Sequence, residues 1–265
     1  MNRKRHTAPP VILAIANQKG GVGKSTLTLN LGHELARAGR PTLLIDLDPQ
    51  ASLTAMCGVD DPAQSLADVV GGATSGTARL GDILREVRRG LWLAPGDIAL
   101  AASELGLVSR LGREAVLKRA IAPVAARFER VLIDCPPSLG LLTVAGLAAS
   151  DSVLIPTEAT GVALRALRIF LSTVENVRGE INPALQISGI VPMFFDGRLA
   201  HHQAALDALG TLGVAVFQSI PRSVRVAEAA TAGKPISEYD PANRAATAYK
   251  TLSEEIDQWL KSNKT

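Results

Sequence analysis

The chain is poor in the residues that commit a protein to a disulfide framework, a metal cluster or an aromatic reading surface. Only Cys57 and Cys135 occur in 265 residues. Their spacing fits no metal-ligand pattern and two thiols make no scaffold, so a cytoplasmic setting with both thiols reduced is the simplest expectation. Aromatic residues make up 3% of the chain, too few for a module that stacks single-stranded bases on aromatic platforms. No uninterrupted apolar run reaches the ~18 residues of a membrane-spanning helix, so no membrane partner is expected. Residues 1–10 are basic but lead into no long apolar region or small-residue cleavage site. They read as a short polar tail and not as a signal peptide. The net charge of +3 permits a nucleic-acid partner without demanding one.

What is present is a hydrophobic content of 47%, ample for one core. Apolar runs suited to buried parallel strands recur at 11–16, 42–46, 91–94, 131–134, 152–156, 187–191 and 214–220. Between them lie segments of helical period at 25–38, 114–128, 141–149, 163–178, 200–212 and 242–261. This alternation predicts an α/β fold: a doubly wound, mostly parallel sheet with helices on both faces, in a single domain over 11–265. Residues 59–89 are rich in Gly, Ala, Asp and Thr, and the cluster 71–76 reads as a mobile connection. Trp92 reads as packing.

The chemistry begins at Gln18-Lys19-Gly20-Gly21-Val22-Gly23-Lys24-Ser25-Thr26, which follows the first apolar run and opens the first helix. Three glycines let successive backbone N–H groups turn onto an anion, and the helix adds unpaired N–H groups and the positive end of its dipole. Lys24 would reach the β- and γ-phosphates and the Ser25 hydroxyl would take a place on Mg²⁺. Gln18 stands where the usual G-x-x-x-x-G-K-[ST] motif has its first glycine. Lys19 is surplus to phosphates already served by Lys24, and could instead project across an interface toward a second nucleotide.

Two further strand ends carry carboxylates, where ligands of open α/β sheets bind. Asp46 and Asp48 fall on one side by strand alternation, pointing to the phosphate loop or, in the bland reading, capping the next turn. Asp134 closes the run Val131-Leu132-Ile133 as a Walker B carboxylate placed for Mg²⁺. Cys135 beside it reads as a small buried residue.

Lys19–Thr26, Asp46-Leu47-Asp48-Pro49-Gln50 and Asp134-Cys135-Pro136-Pro137 together resemble the deviant Walker A motif, Walker A′ motif and Walker B motif of the ParA/MinD P-loop ATPases. The resemblance spans residues 11 to about 260. It implies ATP and Mg²⁺ as cofactors, with Gly20, Gly21, Val22, Gly23, Lys24, Ser25 and Thr26 around the phosphates. Ser25, Asp46 and Asp134 would serve the metal. Lys19 would contact the nucleotide of the partner in an ATP-bound homodimer, and Asp48 would prepare the attacking water. Lys19, Lys24 and Asp48 are thus the catalytic set.

Residues 191–198 and 219–225 end two later strands, where Pro221 and Met193 could sandwich the adenine or be ordinary turn residues. The Ile220-Pro221-Arg222 segment matches a region where the family carries basic residues for non-specific double-stranded DNA. Arg198, Arg222, Arg225, Lys234, Arg244 and Lys250 are the candidates, with a solvated rim or intramolecular ion pairs as the alternative. The last amphipathic segment carries Glu254, Glu255 and Asp257, which suits packing against the sheet better than a lipid anchor.

Asp48-Pro49-Gln50 and that acidic helix favour the ParA branch in its short, Soj-type form. The implied function is an ATP-driven switch for partition or positioning of a chromosome or plasmid. It would be released by a ParB-like activator and be cytoplasmic, on the nucleoid when ATP-bound. A MinD-like membrane-associated positioning ATPase and a P-loop small-molecule kinase or synthetase are the alternatives.

Overall fold

In the computed structural model, which describes residues 9–71 and 78–263, the first strand, β1 (Val11–Ile15), leads through the glycine loop into α1 (Lys24–Arg37). Then follow β2 (Thr42–Asp46), α2 (Ser52–Met56), α3 (Leu66–Val70), α4 (Leu80–Ile83), β3 (Arg85–Arg88), β4 (Leu91–Ala94) and α5 (Ala99–Leu107). The middle of the chain supplies α6 (Val116–Ile121), β5 (Arg130–Asp134), α7 (Leu141–Ala149), β6 (Ser152–Glu158) and α8 (Gly161–Glu180). The last part is β7 (Gln186–Met193), α9 (Ala200–Gly210), α10 (Val224–Thr231), α11 (Ile236–Tyr239) and α12 (Arg244–Ser262).

The strands form one sheet in the order β3-β4-β2-β5-β1-β6-β7. Every neighbouring pair is parallel except β3 and β4. Only Arg89 and Gly90 separate those two strands, a connection too short for the crossover that parallel pairing requires. Alternate residues of each strand bury on opposite faces. Ala14, Leu43, Ile45, Val131, Ile133 and Val153 join one core, with residues of α3 to α9. Leu13, Ile15, Leu44, Leu132 and Leu154 join the other, beneath α1, α2, α10, α11 and α12.

Three expectations need correction. The segment expected as a strand at 214–220 runs beside β7 but makes only isolated bridges, Ile190 with Val216 and Phe195 with Pro221. Pro192 has no N–H to continue a ladder there, although its carbonyl accepts from Ile220 N at 2.8 Å. The helix expected over 114–128 is broken into a 3₁₀ turn, the short α6 and a second 3₁₀ turn. Pro123 removes an interior donor at that point. Residues 59–89, for which no helix or strand is expected, hold α3, α4 and edge strand β3. Of the cluster 71–76, residues 72–76 lie outside the described residues, as do residues 1–8 of the basic tail.

Helix α12 buries Tyr249, Leu252, Ile256 and Leu260 and packs on α1. Among the described residues no helix is long and apolar enough to cross a membrane.

Candidate active site

Parallel register sets the site. Ile15 and Asp46 both pair with Asp134, so the start of the phosphate loop and two carboxylates share one end of the sheet. Gly21 and Gly23 have φ of 73° and 88°, the left-handed region that glycine enters without a Cβ penalty. Helix α1 begins at Lys24 with no side-chain cap and no acidic residue in its first turn. Its terminal N–H groups and dipole are left for an anion. Asn17 anchors the loop to β6, donating through Nδ2 to the Pro156 carbonyl at 2.7 Å and accepting from Lys19 N at 3.0 Å.

Lys24 is 6% exposed, and its Nζ donates to the Lys19 carbonyl at 3.3 Å. Burial lowers its pKa from the ordinary value, against the pull of the Asp134 and Asp48 charges. Asp134 is fully buried; Thr28 Oγ1 donates to its Oδ1 at 3.4 Å, while its Oδ2 has no partner. Burial pushes its pKa well above the usual carboxylate range, the Asp46 charge adds to this, and the nearby Ser25 hydroxyl and Lys24 charge oppose it. A buried carboxylate oxygen without a donor is costly unless a cation completes it. Asp134, with the Ser25 hydroxyl beside it, therefore fits a divalent cation such as Mg²⁺.

Asp46, expected in the metal shell, is already occupied. Its Oδ2 accepts from Thr54 N at 2.8 Å and Thr54 Oγ1 at 2.7 Å, and its Oδ1 from Asp48 N at 3.3 Å. Burial raises its pKa to about 6. Thr54 Oγ1 also accepts from Gly96 N at 2.9 Å, so Asp46 braces β2, α2 and the turn after β4. Asp48 caps its turn with one oxygen, Oδ1 accepting from Gln50 N at 2.9 Å. Among the described residues no donor reaches Oδ2, and the residue is 8% exposed. Capping and catalysis are compatible in one side chain.

Lys19 turns away from its own loop and pairs with Glu158 at the end of β6, the side chains 39% and 27% exposed. Glu158 lies two residues past the strand expected over 152–156, and no motif marks it in the sequence. Met193, a candidate for the adenine wall, is 1% exposed. A Cβ at Gly23 would lie 2.9 Å from its Cε, so Met193 backs the loop and offers no face to a base. Pro221 lies at a cleft of about 480 Å³.

That cleft also gathers Arg198, Arg222 and Arg244. Arg198 is held by Asp196 through bonds of 2.9 and 2.7 Å. Arg222 and Arg244 have no ion pair among the described residues. Arg225 is tied to Asp240 and Glu228 at 3.2 and 2.5 Å. Lys234 and Lys250 are exposed but do not line the cleft. The six basic residues therefore do not form one uniform free patch, because carboxylates of neighbouring turns take up two of them.

These features define the class, a P-loop protein of the variant kind with an extra lysine ahead of the usual one. The AAA domain family matches residues 11–187. An uncharacterised protein of Mycobacterium tuberculosis is 42% identical over 94% of this chain and 79% of its own length. The sporulation initiation inhibitor protein Soj of Bacillus subtilis is 39% identical over 92% of this chain and 97% of its own. A crystal structure of cobyrinic acid a,c-diamide synthase from Mycobacterium smegmatis, with a bound ATP analogue and magnesium, is 34% identical with a TM-score of 0.84. It covers 96% of this chain and 97% of that one. The chain belongs to the Soj/ParA family of P-loop ATPases.

Proposed function

We propose that this chain is an ATP-dependent dimerising switch that hydrolyses ATP, holds non-specific double-stranded DNA and serves partition or positioning of a chromosome or plasmid with a ParB-like activator. The observation that carries this reading is the division between the two lysines: Lys24 is buried in the loop, whereas Lys19 stands at the surface on Glu158. One lysine serves the chain's own nucleotide and the other is free to serve a second.

In this reading the loop N–H groups and the first turn of α1 receive the phosphates, and Lys24 stabilises their charge. Ser25 and Asp134 would hold Mg²⁺, which when bound neutralises charge on the β- and γ-oxygens. Asp48 orients the attacking water through its free Oδ2 or accepts its proton. Lys19 leaves Glu158 to contact the partner's nucleotide, so ATP joins two chains. The protein works in the cytoplasm, on the nucleoid when ATP-bound. The burial of the apolar face of α12 supports packing and not a MinD-like lipid anchor.

Lys19→Ala is expected to keep monomeric ATP binding and lose the ATP-dependent dimer, read by sedimentation with a slowly hydrolysed analogue. Glu158→Gln removes the competing intramolecular pair. A partly exposed pair contributes about 0.2–1 kcal/mol and a symmetric dimer breaks two of them, so the dimer should form at up to about thirtyfold lower concentration. An unchanged dimer in Lys19→Ala would remove the cross-interface role.

DNA binding is tested by duplex titration with ADP and with ATP over a salt series, for wild type and for Arg222→Glu with Arg244→Glu. Each phosphate neutralised contributes a slope of about −0.9 in log K against log salt, and a dimer doubles the set. The wild type should bind far more steeply with ATP, and the double reversal should flatten that slope. Affinity indifferent to nucleotide and salt would exclude the DNA reading. The likeness to a synthase favours one rival, a small-molecule synthetase, whose ATP turnover would follow a metabolite and ignore duplex DNA.

A further inference from the structure

Phe194 follows β7 and stands between the phosphate loop and the arginine cleft. Its φ is 56°, and among the described residues only Ala51 is another non-glycine residue with positive φ. Left-handed backbone costs an L-residue about 1–2 kcal/mol and is unusual for a bulky aromatic. Such strain persists only where the surroundings over-determine it, and it gathers at switch regions. The ring edge faces the loop, since a Cβ at Gly23 would lie 3.3 Å from its Cζ and 3.9 Å from its Cε1. The Arg222 guanidinium lies over the same ring, 5.5 Å from its centroid. The main chain adds a second link: Phe195 N donates to the Ile220 carbonyl at 2.9 Å and Ile220 N to the Pro192 carbonyl at 2.8 Å.

Arg222 lines both the 480 Å³ cleft and a neighbouring one of about 420 Å³ that reaches Asn243, the N-cap of α12. Arg198 and Arg225 are placed by carboxylates, but the cation–π contact with Phe194 is what the described residues offer Arg222. Displacing the ring would remove that contact, worth about 0.5–1 kcal/mol at an exposed site.

We propose that Phe194 is a positioning residue that couples the phosphate loop to the arginine cleft, so that closure of Gly23 and Lys24 on nucleotide phosphates re-aims Arg222 toward a phosphodiester backbone. The coupling rests on the DNA reading only for the identity of the anion. A residue in a strained backbone state suits this role because a small push at the loop shifts it between two states close in energy.

The test compares wild type with Phe194→Tyr, which keeps the ring, Phe194→Leu, which keeps apolar bulk, and Phe194→Asn, which tolerates positive φ but has no ring. Two readouts are taken at saturating nucleotide: the ratio of duplex affinities with ATP and ADP, and the change in amide hydrogen exchange over residues 219–226 when a slowly hydrolysed ATP analogue is added without DNA. The tyrosine variant should retain both. The leucine and asparagine variants should lose the exchange response, and their affinity ratio should fall about tenfold toward one, within the usual range of allosteric couplings. A full exchange response and an undiminished ratio in both ringless variants would overturn the coupling. If wild type responds in exchange, the ringless variants do not, and no duplex binds, the coupling stands and the DNA reading fails alone.

Discussion

Asp48→Ala should bind ATP, accumulate as a dimer and release phosphate about 10²–10⁴-fold more slowly than wild type, the range that a positioned acid–base group contributes. The geometry separates the two roles of this carboxylate. Its Oδ1 secures the turn by accepting from Gln50 N at 2.9 Å, and the main-chain carbonyl accepts from Ala51 N at 2.9 Å. Its Oδ2 is left over, close enough to Lys24 for its charge to be felt there. Asp48→Asn keeps an acceptor for the turn but is a far weaker base, so it should fold like wild type and still fail in turnover. Phosphate release at saturating ATP, with sedimentation on the same samples, reads both properties. Wild-type turnover in Asp48→Asn would remove the assignment.

Lys24→Met is expected to fail one step earlier, at nucleotide binding. Lys24 is buried against Asp134 and Asp48, whose charges act on it. Methionine keeps the apolar stem but leaves those carboxylates and any incoming phosphates without their cation. Truncating one partner of a buried charge pair between protein and ligand costs about 2–5 kcal/mol of binding, which corresponds to a loss of affinity of about thirtyfold or more. Nucleotide-dependent melting gives an independent measure, since a ligand that binds only the folded state raises stability by RT ln(1 + [L]/Kd). Wild type should show a large ATP-dependent rise in Tm and Lys24→Met almost none. Equal ATP affinity in the two proteins would refute the phosphate-loop reading itself.

By itself, the sequence determined the elements whose constraints are local. The glycine loop between β1 and α1 was readable because positive φ, a following helix and Lys24-Ser25 are encoded within a few residues. Asp46 and Asp134 were readable as strand ends because short continuous apolar runs mark buried parallel strands. The doubly wound architecture followed from the same periodicities.

Tertiary structure alone decided what those residues touch. Lys19 and Glu158 are 139 positions apart and meet only because β6 lies beside β1. Asp46 is drawn into a brace because Thr54 and the Asp48 backbone donate to both its oxygens. Met193 turned inward behind Gly23. Arg198, Arg222 and Arg244 converged on one cleft while Arg225 was absorbed by Asp240 and Glu228. Pairings of this kind depend on which strands become neighbours and on competition among nearby carboxylates, and neither is written in the spacing of residues along one segment.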